Sequence, residues 1–200
     1  MMRSTSFHRL LMCVLAFVAN QATEAVPPAP KLPADAYFLM DATTGQIVVD
    51  HNGDLSLPPA SLTKIMTSYV LAEEVDAGRA SPDDMIKVSR NAWSQNPTFK
   101  GSSLMWIEPG KPVSLADLER GVVISSGNDA SVAVAEHLAG TESSFVDVMN
   151  QLAAELGLDN TVYRNPHGLP HPEHRTTARD LATLSVALIN GHPELSLIHI

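Results

Sequence analysis

The stretch Pro59-Ala-Ser-Leu-Thr-Lys-Ile-Met-Thr-Ser-Tyr69 opens a helix and, in its first turn, sets a hydroxyl beside an amine. Apolar residues at Leu62, Ile65, Met66, Tyr69, Val70 and Val75 approximate the helical period. They predict an amphipathic helix from Ser61 to about Ala77, with Gly78 ending it. Ser61 and Lys64 then share one face, a single turn apart. A serine hydroxyl is a poor nucleophile until a base takes its proton, and an amine serves as that base when burial or a second cation keeps it neutral. The free N–H groups and positive dipole end at a helix start favour an alkoxide and disfavour ammonium. The spacing alone also fits a helix cap beside a solvated lysine. Against that reading, Lys64 leads into a strongly apolar helix with no further basic residue before Arg79.

A second constellation lies at Ser125-Ser-Gly-Asn-Asp129, between predicted helices Ser114 to about Ile124 and Asp129 to about Ala139. A tight turn there lets Ser126 and Asn128 point toward a common centre. A second hydroxyl suits acyl transfer because it relays a proton from the base to the leaving amine, and an amide holds the substrate's own peptide group. The plainer alternative is a turn in which Asp129 caps the next helix.

The remaining elements follow from turn and cap residues. Ala36 to Asp41 and Gln46 to Asp50 read as two strands of a hairpin around Ala42-Thr-Thr-Gly45. The segment from Asn91 to Pro109, with Trp93, Phe99 and Trp106, reads as an ordered loop with short helical pieces. Further helices are predicted from Glu142 to about Leu156 and from Ala178 to Asn190, the latter capped by Thr177. His167, His171 and His174 crowd together, but Pro166, Pro170 and Pro172 prevent a helix from aligning them as metal ligands, and no cysteine or carboxylate pair completes a set.

Taken jointly, the two constellations are specific, since penicillin-recognising enzymes combine Ser-x-x-Lys with a downstream Ser-x-Asn and a later Lys-Thr-Gly. Pro59 to Tyr69, Phe99-Lys-Gly-Ser-Ser-Leu-Met105, Ser126-Gly-Asn-Asp-Ala130 and His167-Gly-Leu169 carry a resemblance that runs from about Ala36 to Asn190. In these places the chain resembles the D-alanyl-D-alanine carboxypeptidases, the low-molecular-mass penicillin-binding proteins of serine peptidase family S11. The resemblance implies an α+β, serine β-lactamase/DD-transpeptidase-like fold, a helical cluster on an antiparallel sheet. It implies that Ser61 forms the acyl-enzyme, Lys64 accepts the proton, Ser126 is the third catalytic residue and Asn128 contacts substrate. The substrate implied is a peptidoglycan stem pentapeptide that loses its terminal D-alanine, with β-lactams as covalent inhibitors. The family works in the periplasm or outside the cell, without a metal or organic cofactor.

Class A β-lactamases share the fold and the first two motifs, but their deacylation relies on a Glu before the last helix. Glu173 is the carboxylate available between Asp159 and Asp180, and Pro172-Glu-His-Arg175 lacks the Asn expected four residues beyond such a Glu. Slow deacylation of penicillin is therefore expected. Two alternatives to the carboxypeptidase reading stand at this point, a D,D-endopeptidase of the same family and an inactive fragment that binds penicillin or peptidoglycan.

No Lys-Thr-Gly occurs in the chain, and Leu195-Ser-Leu-Ile-His-Ile200 does not continue the resemblance but matches a translated sequencing adapter. The expectation is a fragment, with residues 36–194 a partial catalytic domain truncated before the later sheet strands and 195–200 a non-native tail. Residues 26–200 alone are expected to fold poorly and to lack carboxypeptidase activity. Membrane attachment is expected only through a C-terminal amphipathic helix absent here.

Composition sets the outer bounds. With 44% hydrophobic and 18% charged residues, the chain is globular, and a net charge of -9 without any Lys/Arg run argues against a nucleic-acid partner. Arg3, His8 and Arg9 precede the apolar run Leu10 to Ala19, about half the length a membrane span needs, and Ala22 and Ala25 follow. Residues 1–25 thus read as a signal peptide and 26–35 as a proline-rich linker. Cys13, the sole cysteine, falls inside the apolar run, so the exported chain is expected to hold no disulfide.

Overall fold

The computed structural model describes residues 29–193, so the signal-peptide segment and the tail at 195–200 lie outside the described residues. Residues 29–36 carry neither helix nor strand. Strands β1 (Tyr37–Met40) and β2 (Ile47–His51) form an antiparallel hairpin with a register shift between Leu39 and Met40. Asp41 shapes its turn by accepting the N–H groups of Thr43 at 2.9 Å and Thr44 at 2.7 Å on one carboxylate oxygen.

Among the described residues five α-helices follow: α1 (Thr63–Asp76), α2 (Leu115–Ile124), α3 (Asn128–Ala139), α4 (Glu142–Glu155) and α5 (Ala178–Gly191). Two-residue strands β3 (Met85–Ile86) and β4 (Val113–Ser114) pair antiparallel, too short to show as alternation in the sequence. Side-chain caps begin three helices as their sequences require. Ser114, Thr141 and Thr177 accept the N–H groups of Asp117, Ser144 and Asp180.

Helix α1 departs from the amphipathic expectation. It is buried from Met66 through Ala72 without a gap, because α2, α3, α4 and α5 all pack on it. A helix enclosed on every side has no solvent stripe to reveal its axis. Two apolar clusters meet across it. Leu71 joins Phe99, Leu115, Leu118 and Val134 on one side, and Met66 and Val70 join Phe145, Met149 and Leu184 on the other. Each such fully buried side chain contributes about 1.5–3 kcal/mol.

Backbone pairing then draws the distal loop beneath the start of α1. Leu57 and Thr176 exchange both main-chain hydrogen bonds at 2.9 Å, and Arg175 pairs likewise with Val162 at 2.8 and 3.0 Å. Arg179 on α5 clamps the hairpin from above, donating to Asp54 at 2.7 Å while its guanidinium lies 4.6 Å from the centre of the Phe38 ring. Within this frame Gly168 (φ +89) comes so close to Ala60 that a Cβ on it would stand 1.8 Å from the Ala60 carbonyl oxygen. That approach is open to glycine alone.

Asp129 does not cap α3. That helix is entered from Gly127 without a side-chain cap. Asp129 is fully buried and reaches instead to the preceding loop, accepting the N–H groups of Met105 at 2.8 Å and Ile107 at 3.1 Å. It thereby anchors the 91–109 loop to the first turn of α3.

Two consequences are measurable by urea unfolding. Gly168→Ala is expected to destabilise by at least 2 kcal/mol more than Gly110→Ala, which shares a positive φ but has no atom within 4 Å of its would-be Cβ and should cost about 1–2 kcal/mol. Asp129→Ala, which strands two loop N–H groups, is expected to cost about 3 kcal/mol or more.

Candidate active site

The short 3-10 turn Ala60–Leu62 precedes α1 and presents Ser61, which is exposed. Ala60 adopts φ +48, a left-handed conformation that costs a non-glycine residue about 1–3 kcal/mol. The turn lifts Ser61 out of the packed layer while leaving it beside the amino end of α1, one turn before Lys64.

Lys64 is almost fully buried, at 5% exposure. Its Nζ donates to Asn128 Oδ1 at 2.7 Å and to the main-chain oxygen of His167 at 2.8 Å. Burial pushes the amine down from 10.5 to about 8, an effect only partly opposed by the negative charge of Asp129. A neutral primary amine has two N–H donors and one lone pair. Both donors are taken by these two carbonyl groups, which leaves the lone pair free to accept a proton.

Ser126 sits at φ +50 in the turn between α2 and α3, and its Oγ is buried without a hydrogen-bond partner. The Gly127 N–H folds back onto the Gly121 carbonyl at 2.9 Å, and the Asn128 N–H reaches the Ser103 carbonyl at 2.9 Å. A Cβ on Gly127 would stand 3.1 Å from the Met105 backbone nitrogen, so a side chain there would press on the 91–109 loop. Ser61, Lys64 and Ser126 line one cleft of about 480 Å³, closed on its apolar side by Ile65, Val122 and Leu188. The four residues named from the sequence are therefore brought together, Asn128 through its bond to Lys64 and the other three along the cleft wall.

Three further contributors carried no side-chain signal of this role. The His167 carbonyl binds Lys64 through its backbone, which sequence patterns do not display. Thr67 holds the same loop by donating to the Pro166 carbonyl at 2.6 Å. The Asn165 side chain accepts the Gly168 N–H at 2.7 Å and donates to the Leu169 carbonyl at 2.9 Å, fixing the tight turn around His167. The histidines of this loop are individually engaged rather than converging. The His167 ring accepts the Leu169 N–H at 3.1 Å and lies 3.5 Å from Glu142, whose carboxyl it holds below the usual range. His174 pairs with Thr63 at 2.8 Å, and its basicity falls to about 4 through burial first and then the nearby charges of His167, His171 and Arg164.

The chain is similar to known proteins in sequence and in fold. A family model described as D-alanyl-D-alanine carboxypeptidase matches residues 21–199. The D-alanyl-D-alanine carboxypeptidase DacC of Escherichia coli is 46% identical over 190 residues, covering 94% of this chain and 46% of the relative. Penicillin binding protein 5 from Haemophilus influenzae superimposes with a TM-score of 0.82 at 42% identity, covering 86% of this chain and 49% of that one. Penicillin-Binding Protein D2 from Listeria monocytogenes, solved in a cefotaxime-bound form, gives a TM-score of 0.73 at 30% identity, covering 84% of this chain and 66% of that one. The chain spans about half the length of the curated relatives it matches. Its fold is that of the serine β-lactamase-like DD-peptidases, and the chain belongs to the D-alanyl-D-alanine carboxypeptidase family, peptidase family S11.

Proposed function

We propose that the protein carrying this chain is a serine-type D-Ala-D-Ala carboxypeptidase that removes the terminal D-alanine from peptidoglycan stem pentapeptides. The observation that carries the reading is Lys64, buried at 5% exposure and with its donors saturated by Asn128 and His167. A lysine so held serves as a general base, and the hydroxyl of Ser61 stands one turn away on the same cleft.

The reaction follows from those positions. Ser61 Oγ attacks the carbonyl carbon of the penultimate D-alanine as its proton passes to the Lys64 lone pair. The tetrahedral intermediate collapses when that proton is delivered, through the Ser126 hydroxyl, to the departing amine. The C–N bond breaks, D-alanine leaves, and the peptide remains esterified to Ser61. Water then attacks the ester carbonyl, Lys64 takes one water proton, Ser61 recovers it as the C–O bond to it breaks, and the tetrapeptide leaves as its carboxylate after losing the other water proton to solvent. Asn128 contributes its amide N–H groups to the substrate's peptide carbonyl while its Oδ1 stays on Lys64.

A β-lactam presents an amide bond to the same nucleophile, and the cefotaxime-bound form of the Listeria relative supports β-lactams as covalent ligands here. The apolar run Leu10 to Ala19 supports export and a periplasmic site of action.

Full-length protein incubated with fluorescent penicillin should carry one adduct, mapped to Ser61 by peptide mass. Ser61→Ala should abolish it, and Lys64→Arg, which stays protonated, should slow it about a hundredfold or more. The same protein should release D-alanine from a stem pentapeptide, and labelling without release would contradict the carboxypeptidase reading. Because the deprotonated amine is the active form, the acylation rate should rise with pH to a plateau, with a midpoint near 8. A rate that does not change between pH 6 and 9 would remove Lys64 from the role of base.

A further inference from the structure

His174 touches none of the atoms assigned to the reaction, yet it is buried and both its ring nitrogens are occupied. The Arg164 backbone N–H donates to Nδ1 at 3.2 Å. A ring nitrogen that accepts a hydrogen bond carries no proton, so the neutral imidazole bears its hydrogen on Nε2. Nε2 stands 2.8 Å from Thr63 Oγ1 and so donates to it. Thr63 Oγ1 then has its own hydrogen for the Ala60 carbonyl, 2.8 Å away. The chain of donors runs one way, from imidazole to hydroxyl to carbonyl, and ends on the residue directly before Ser61. The Tyr163 ring packs edge-on against the imidazole with centroids 5.7 Å apart and fixes its plane.

Ala60 is where such a hold is needed. A non-glycine residue at φ +48 keeps that conformation only when its surroundings over-determine it. Gly168 crowds the Ala60 carbonyl from one side, and the Thr63 hydroxyl pulls it from another. Rotation of this peptide would swing Ser61 Oγ relative to Lys64, whose own position is fixed independently by Asn128 and His167.

We propose that His174 is a positioning residue for acyl transfer, which acts through Thr63 to lock the Ala60 peptide and so sets the angle at which Ser61 meets its substrate. The inference rests on Ser61 being the nucleophile. Once the nucleophile is aligned in advance, less reorganisation separates the bound complex from the transition state, and the benefit appears in the chemical step rather than in binding.

The test uses the full-length protein and rapid-quench acylation by fluorescent penicillin, which separates the first-order acylation constant from the half-saturating concentration. His174→Phe keeps an aromatic ring against Tyr163 but has no donor, whereas His174→Gln returns an N–H close to the place of Nε2. Thr63→Val and Thr63→Ser make the same comparison at the middle of the chain, and they carry the test alone if the Phe variant does not unfold cooperatively. His174→Phe and Thr63→Val should each lower the acylation constant about tenfold with the half-saturating concentration within about twofold. Gln and Ser should restore it to within about threefold, and the double variant should be no slower than either single one because both break the same chain. Nitrogen-15 spectra of the unsubstituted protein should show the His174 proton on Nε2.

A folded His174→Phe protein acylating at the unsubstituted rate would overturn the proposal. So would equal losses in the Phe and Gln variants, multiplied losses in the double variant, or a proton found on Nδ1. If the unsubstituted protein takes no label at Ser61, the function proposed above fails and this inference fails with it. Labelling at Ser61 that His174→Phe leaves unchanged refutes this inference alone.

Discussion

The Lys64 amine joins three separate stretches of the chain in one small volume, and the rest of the site is arranged around its two hydrogen bonds. Asn128 brings the turn between α2 and α3, the His167 carbonyl brings the distal loop, and Lys64 itself belongs to the central helix. Each partner is locked from behind. Asn128 is tied to Ser103 through its backbone, and the following residue, Asp129, anchors the 91–109 loop. His167 sits in a turn shaped by Asn165 and roofed by Thr67. A loosened contact at any of these places would move an acceptor away from Nζ and free the amine from its place in the cleft.

Holding an amine in this way works against stability. The folded state binds Lys64's proton less tightly than the unfolded chain, so between pH about 8 and 10.5 the unfolded state carries more protons and stability rises with pH. Below that window the buried amine costs on the order of 3 kcal/mol. The two apolar clusters that meet across α1 offset this cost, which explains why the lysine lies in the most enclosed helix rather than on a loop. His174 shows the same pattern with the reverse chemistry. Its lowered basicity keeps the ring neutral at ordinary pH, and protonation at acidic pH would end its acceptance of the Arg164 N–H.

The helices and the polar side chains of the cleft were legible in the sequence because each rests on local rules. Thr177 caps its helix as predicted, Ser114 caps the helix it was expected to begin, and Gly45 ends its turn in the left-handed region. Ser61, Lys64, Ser126 and Asn128 were readable because side-chain chemistry and spacing announce them. What could not be read depends on tertiary placement. The enclosure of α1 on all sides follows from four helices converging on it, and no periodicity within one helix encodes that. Asp129 looked like a cap, whereas its acceptors were needed by a loop more than twenty residues away. The His167 carbonyl left no trace in residue type, and the crowding of His167, His171 and His174 does not reveal that His174 pairs with Thr63, 111 residues distant.

The central claim is that burial lowers the Lys64 amine far enough below the ordinary lysine range for it to act as a base. Carbon-13 labelling of lysine in the full-length protein, with the Lys64 resonance assigned by its loss in Lys64→Arg, allows that amine to be titrated directly. The account predicts a midpoint near 8, well below the ordinary lysine range. A Lys64 resonance that titrates at the ordinary lysine value of 10.5 would contradict it.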